Sequence, residues 1–198
     1  MNVVFDLGGV VVAWRPDEIL ARAFEDPATR AIAKRELIGH PEWLELDRGT
    51  LTFDEAIERG AKRSGLPESE VRRLLESVPP ALEAFPETVA LLREVKAHDN
   101  GLYFLSNMPA ESMAYLEKRY DFWALFDGAV VSSRIGHCKP EPEIYKYLID
   151  TYSLIPRETI FIDDVLANID AAKAFGIRTI HFTDAADCAR ELRRLGAL

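Results

Sequence analysis

The first apolar run of the chain, Val3 to Val12 (VVFDLGGVVV), is rich in β-branched residues and is broken by one carboxylate, Asp6, with Gly8 and Gly9 behind it. A continuous run of this kind reads as a strand buried on both faces. An ionised carboxylate among apolar neighbours is costly, so Asp6 belongs where the strand ends. There it is paired with a cation, a metal or hydrogen-bond donors, or it caps the following turn. For about seventy residues the strand signal then disappears, and charged segments of helical period replace it. Asp17 to Glu25 places Ile19, Leu20, Ala23 and Phe24 on one face, and Ala28 to Ile38 reads as a second helix closed by Gly39. His40 to Gly49 reads as irregular. Thr52 and Glu55 form a capping box for a helix that ends near Gly65, and Pro67 to Val78 is a further amphipathic helix that Pro79 and Pro80 should stop. These short helices predict a small bundle inserted after the first strand.

From Pro86 the pattern alternates. Helices over Glu87–His98, Pro109–Tyr120, Glu141–Tyr152, Leu166–Phe175 and Ala185–Leu195 are interleaved with strands over Leu102–Leu105, Ala129–Ser132, Thr159–Ile162 and Arg178–Phe182. That rhythm is the signature of a parallel sheet with helical crossovers.

Charge and composition narrow the function. The 198 residues carry 24 Lys and Arg against 33 Asp and Glu, a formal net charge of −9. A general nucleic-acid or membrane-surface binder needs a basic footprint that this chain lacks, although a local anion site is compatible with it. Cys138 and Cys188 have neither metal-ligand spacing nor a disulfide framework, which points to a reducing compartment. The start of the chain has no basic leader, and no apolar stretch is long enough to span a bilayer. The expectation is a cytoplasmic protein with no membrane and no nucleic-acid partner.

In an open parallel sheet, ligands bind beyond the carboxyl ends of the strands. The first predicted strand ends in Asp6, the second in Ser106 and Asn107, and the fourth in Asp163 and Asp164, while Lys139 opens the helix between the third and fourth. Singly, Ser106 and Asn107 read rather as turn residues and Lys139 as a solvated lysine, and Asp163 and Asp164 equally well as helix caps. Together they supply a carboxylate nucleophile, a hydroxyl, a cation and an acidic pair, which is what phosphoryl transfer to an aspartate requires. Asp6 would attack phosphorus. A divalent cation held by Asp6 and Asp164, with Asp163 beside them, would offset the repulsion between carboxylate and phosphate, and Mg²⁺ suits such oxygen ligands. Ser106 and nearby backbone N–H groups would hold the phosphate oxygens, and Lys139 would stabilise the transition state.

The segments FDLGGVVV, FLSNMP, HCKPEPEIY and FIDDVLANIDAAKAFG resemble, in this order, the four motifs of the haloacid dehalogenase-like hydrolase superfamily. The resemblance covers essentially the whole chain. It implies an α/β fold with a Rossmann-like parallel sheet of about five strands, order 5-4-1-2-3, and a helical cap inserted after the first strand. The core would comprise residues 1–14 and 86–198 and the cap residues 15–85. It implies Asp6 as nucleophile and metal ligand, the Gly8 carbonyl and Asp164 as further Mg²⁺ ligands, and Ser106 and Asn107 on the phosphate. Lys139 becomes the charge stabiliser, and Asp163 either a ligand or a residue behind the ligands. Asn168 could steady that acidic pair or simply face solvent or cap the core.

One departure matters. Most phosphatases of the superfamily carry an acid two residues after the nucleophile, where this chain has Gly8. Three readings follow: a phosphatase acting on a small phosphorylated metabolite such as a sugar phosphate, a 2-haloacid dehalogenase, or a non-catalytic binder of metal and phosphometabolite. The acidic pair favours the first, because the dehalogenases need no metal. A phosphoryl-accepting receiver is disfavoured by motif order. In the cap, His40, Trp43, Asp47 and Arg48 are candidate substrate contacts, with Trp43 stacking on a sugar face and Arg48 holding a second anionic group; alternatively Trp43 packs the cap and Arg48 is a surface charge. His137 and Cys138 should have no catalytic task. Trp14–Pro16 and Pro79–Pro86 are the expected hinges.

Overall fold

The computed structural model describes residues 1–198. The chain enters through β1 (Asn2–Phe5), all but the first residue of which is buried. The apolar run therefore stops being strand earlier than its hydrophobicity implies. Beyond Asp6 it folds back into a tight loop in which the Leu7 carbonyl accepts from the N–H groups of Val10, Val11 and Val12. Gly9, at φ 79°, permits the reversal.

The helical insert follows: α1 (Pro16–Ala23), α2 (Pro27–Ala33), a π-helical turn over Lys34–Ile38, α3 (Glu42–Arg48), α4 (Phe53–Ser64) and α5 (Glu68–Ala81). Ile19, Leu37, Leu46, Ile57, Leu74 and seven other buried side chains form an apolar cluster of their own between these helices. The capping box at Thr52 and Glu55 is present as expected. Two expectations fail here. The stretch read as irregular is the two-turn helix α3, closed by Gly49 in the left-handed region (φ 80°) and anchored inward by Leu46. Pro79 and Pro80 do not stop α5 but lie inside its last turn. A proline ring fixes φ near the helical value, and both prolines fall in the final turn, so the missing bonds and the crowding of the preceding turn are confined to the end of the helix, which closes at Leu82. Val78 and Pro79 are buried there while Pro80 faces solvent.

The remaining chain alternates α6 (Pro86–Ala97), β2 (Gly101–Ser106), α7 (Ala110–Arg119), a 3₁₀ turn over Phe122–Leu125, β3 (Gly128–Val131), the unforeseen single turn α8 (Ser132–Ile135), α9 (Pro142–Tyr152), β4 (Thr159–Asp163), α10 (Leu166–Ala174), β5 (Arg178–His181) and α11 (Ala185–Arg194). The five strands form one parallel sheet in the order β3-β2-β1-β4-β5, which is the expected 5-4-1-2-3 read from the other edge. One apolar cluster of 25 buried residues and another of 11 sandwich the sheet, with Phe5 and Ile162 in the first and Val4 and Phe161 in the second. Burial on both faces explains why the strands read as continuous apolar runs rather than alternating ones.

The order reverses around β1, whose neighbours are β2 and β4. The crevice above their carboxyl ends is the topological switch point where ligands bind in such sheets. The two crossings between sheet and insert run beside each other: Ala13 N–H donates to the Glu83 carbonyl, Phe85 N–H donates to the Val11 carbonyl, and Val12 bridges Ala84.

Candidate active site

Register places the chemistry. Because Phe5 pairs with Phe104 and Ile162, Asp6 and Asp163 stand side by side at the strand ends, and Ser106 follows one residue further along β2. Lys139, from the loop before α9, reaches into the same point: its Nζ lies 2.7 Å from Asp6 Oδ1 and 2.7 Å from Asp163 Oδ2. These three side chains are at most 9% exposed. Burial opposes the charge on Lys139, but the flanking Asp6 and Asp163 carboxylates outweigh it and raise the lysine's pKa. Burial pushes the Asp6 carboxyl up to about 7, against the pull of Lys139 and with the repulsion of Asp163. The lone pairs of Asp6 Oδ1 are used by Leu7 N–H (2.6 Å) and Lys139, which leaves Oδ2 for a ligand.

The acidic pair divides its labour. Asp163, fully buried, accepts from Lys139 Nζ, from Val165 N–H at 2.8 Å and from Asn168 Nδ2 at 3.0 and 3.1 Å, so both its oxygens are occupied. Of the two roles open to it, this geometry fits the one behind the ligands, and Asn168 is buried against it rather than facing solvent. Asp164 makes no side-chain hydrogen bond or ion pair and opens to the cleft, where it sits against Gly9 so closely that a Cβ there would collide with its carboxylate. Burial and the charge of Asp163 raise its pKa.

Oxygens of Asp6, Asp163 and Asp164 come within 4.8 Å of one another. Three carboxylates face one ammonium in a largely buried site, an excess of negative charge that a hard divalent cation would neutralise, and the oxygen-only donor set fits Mg²⁺. Gly8 lines the same cleft. The Ser106 hydroxyl is fully buried and has no hydrogen-bond partner. Such groups are rare in native structures, and a phosphate oxygen would satisfy this one. The Asn107 amide, by contrast, is committed to the peptide of Lys139: Lys139 N–H donates to Oδ1 at 2.8 Å and Nδ2 donates to the Lys139 carbonyl at 2.9 Å. It fixes the loop that delivers the lysine.

The cleft encloses about 290 Å³. Its polar floor is Asp6, Asn107, Lys139, Asp164 and Asn168, and its outer part is lined by Trp14, Ile38, Trp43, Val78, Leu82, Met108 and Val165, with Asp47 among them. Trp43 packs on Trp14 with ring centroids 5.7 Å apart, so it both faces the cleft and serves the packing of the insert. His40 and Arg48 are not part of the lining. Arg48 is drawn away by Glu141, with two bonds of 2.7 Å, which leaves it no free face for a second anion and overturns that expectation. His137 and Cys138 do not line the cleft, and burial pushes the Cys138 thiol up to about 11. A larger open groove between α6 and α11, about 680 Å³, has an entirely acidic charged lining of Glu87, Glu94 and Asp184 and is unsuited to phosphate.

Sequence reasoning missed Ser132. Its hydroxyl donates to the Asp47 carbonyl and accepts from Met108 N–H (2.9 Å), stitching α3 to the loop after β2. A serine at a strand end carries no signal of such a long-range bridge.

A parallel sheet with its first strand ending in a buried Asp, and a Ser, a Lys and an acidic pair converging on it, defines a class of hydrolase. Residues 1–176 match the haloacid dehalogenase-like hydrolase family, and the chain belongs to it. It is 31% identical over 192 residues to a sesquiterpene phosphatase of Aspergillus oryzae, with 97% of this chain and 94% of that one covered. It is 26% identical to a phosphorylated carbohydrates phosphatase of Thermotoga maritima, over 90% of this chain and 83% of that one. Its fold is similar to that of a haloacid dehalogenase family enzyme from Bacteroides thetaiotaomicron, solved as a complex with magnesium and inorganic phosphate, at a TM-score of 0.73, 23% identity and coverage of 92% and 93%. No helix is long and apolar enough to cross a membrane.

Proposed function

We propose that the protein is a Mg²⁺-dependent phosphomonoester hydrolase that works through a phosphoryl group carried on Asp6. The observation that carries this reading is the buried Asp6–Lys139–Asp163 trio, with the Asp164 carboxylate and the Ser106 hydroxyl, neither paired within the protein, at the same sheet edge. Asp6 attacks phosphorus through Oδ2, splitting hydrolysis into two displacements. Ser106 donates to a non-bridging oxygen. Lys139 holds Asp6 in its attacking orientation and places positive charge beside the phosphoryl group. Asp6, Asp164 and the Gly8 carbonyl would hold the cation, while Asp163 and Asn168 fix Lys139 behind them. Mg²⁺, when bound, neutralises charge shared by carboxylate and phosphate. The relatives named above, phosphatases of a sesquiterpene and of carbohydrates, support this class of reaction over haloacid hydrolysis.

The insert, residues 15–85, acts as a cap over the core formed by residues 1–14 and 86–198, and its apolar wall selects the leaving group. A sugar phosphate with a ring face against Trp43 is one substrate class, in keeping with a small phosphorylated metabolite. The wall of Trp14, Ile38, Trp43, Val78, Leu82 and Met108 favours a second reading, the phosphate ester of an apolar alcohol, because it offers few partners for sugar hydroxyls. The test is a screen of aryl, sugar, nucleotide and apolar-alcohol phosphates with Mg²⁺ and with chelator. Turnover that needs Mg²⁺ and disappears in Asp6→Asn is the expected result. Metal-independent halide release from a 2-haloacid, or tight phosphometabolite binding without turnover, would contradict it.

A further inference from the structure

If the chain is a phosphatase of this kind, a proton must reach the leaving oxygen, and Gly8 offers no side chain to carry it. Crowding does not explain the glycine: a Cβ at position 8 meets nothing closer than Trp14 Cβ at 3.8 Å. We propose that Asp47, on the insert, is the catalytic acid and then the base of this site. Resting on the phosphatase reading, the proposal adds a catalytic residue from outside the four motifs.

Three observations carry it. Asp47 lines the cleft together with Asp6, Gly8 and Lys139. Its carboxylate has no hydrogen bond and no ion pair with any residue of the protein, in contrast with Asp163. Its backbone is nonetheless held firmly at the cleft from both sides. Ser132 Oγ donates to the Asp47 carbonyl, the next residue is tied bidentately to Glu141, and Gly49 packs on Ser133 so closely that a Cβ would lie 2.8 Å from the Ser133 carbonyl oxygen. A carboxyl group left unpaired, on a backbone fixed to the core, is placed for a ligand. Burial raises its pKa to about 7, against the pull of Lys139, so a protonated fraction is available near neutrality. The charged groups around it are Lys139, Asp6 and Asp164 across the cleft and Arg48 on α3, with the neutral thiol of Cys138 beside them.

The step balances as follows. Asp6 Oδ2 forms a bond to phosphorus while the bond from phosphorus to the ester oxygen breaks, its electron pair passing to that oxygen. The Asp47 proton moves to the same oxygen, releasing a neutral alcohol and leaving a carboxylate. Asp47 then accepts a proton from water as the water oxygen bonds to phosphorus. The Asp6–phosphorus bond breaks, restoring Asp6 and releasing inorganic phosphate.

The test uses leaving groups that differ in their need for a proton. kcat/KM is measured with Mg²⁺ for an aryl phosphate with an acidic phenol and for an alkyl phosphate, in wild type, Asp47→Asn and Asp47→Ala, each with and without Gly8→Asp. Both Asp47 variants should lose about 10²–10³-fold on the alkyl ester and at least roughly tenfold less on the aryl ester. Gly8→Asp should recover part of the alkyl loss. Equal losses on both esters, or no loss on either, would overturn the role of Asp47 while the Asp6-dependent activity of wild type stands. A wild type inactive on both esters would overturn the phosphatase reading as well.

Discussion

At the scale of single residues, adjacent carboxylates are predicted to behave in opposite ways. Asp163 satisfies Lys139, Asn168 and the Val165 N–H in a fully buried setting. Asp163→Ala should therefore cost about 3–5 kcal/mol of stability in urea unfolding, because it strips a buried ammonium of one partner. Asp164 has no such duties. Asp164→Asn should unfold within about 1 kcal/mol of wild type, yet need far more Mg²⁺ for activity, as a titration of rate against metal would show. The sequence identified both acids and Lys139 because each ends a strand or opens a helix at one sheet edge. It could not separate their roles, which depend on where hydrogen-bond donors stand. Nor could it foresee that Asn107 holds the Lys139 peptide or that Ser132 reaches Asp47, contacts that join residues 32 and 85 positions apart.

At the scale of elements, α3 is the insert's contact with the chemistry, and Arg48–Glu141 is its clamp. A double-mutant cycle with Arg48→Ala and Glu141→Gln should give a coupling of about 1–2 kcal/mol in thermal or urea unfolding. The Arg48 guanidinium pulls the Glu141 carboxyl from 4.5 down to about 2. A depressed acid stabilises the fold fully above its unfolded pKa and loses that contribution as pH falls through the folded value. The Tm gap between wild type and Glu141→Gln should therefore be widest at neutral pH and close between about pH 4.5 and pH 2. The sequence read α3 as a loop because its two turns present a single buried leucine, Leu46, too few apolar positions to display a period. The continuation of α5 through two prolines was obscured for a different reason: proline is a general helix breaker beyond the first turn, and here its disruption is confined to the helix end.

At the scale of the whole molecule, the sheet was legible almost completely, because strands buried on both faces advertise themselves and alternate with amphipathic helices. The way the insert meets the core was not, since it depends on the side-by-side crossing of Val11–Ala13 and Glu83–Phe85 and on α3 packing against α8, just beyond β3. If the site holds a divalent cation, Mg²⁺ should raise Tm with the logarithm of its concentration once above its Kd, and Asp164→Asn should move that rise to far higher Mg²⁺. The account turns on one covalent event. Wild-type protein mixed with an aryl phosphate and Mg²⁺, quenched in acid during turnover and digested for mass spectrometry, should carry one phosphoryl group on Asp6. Turnover with no phosphoryl group on Asp6, or turnover that persists in Asp6→Asn, would contradict it.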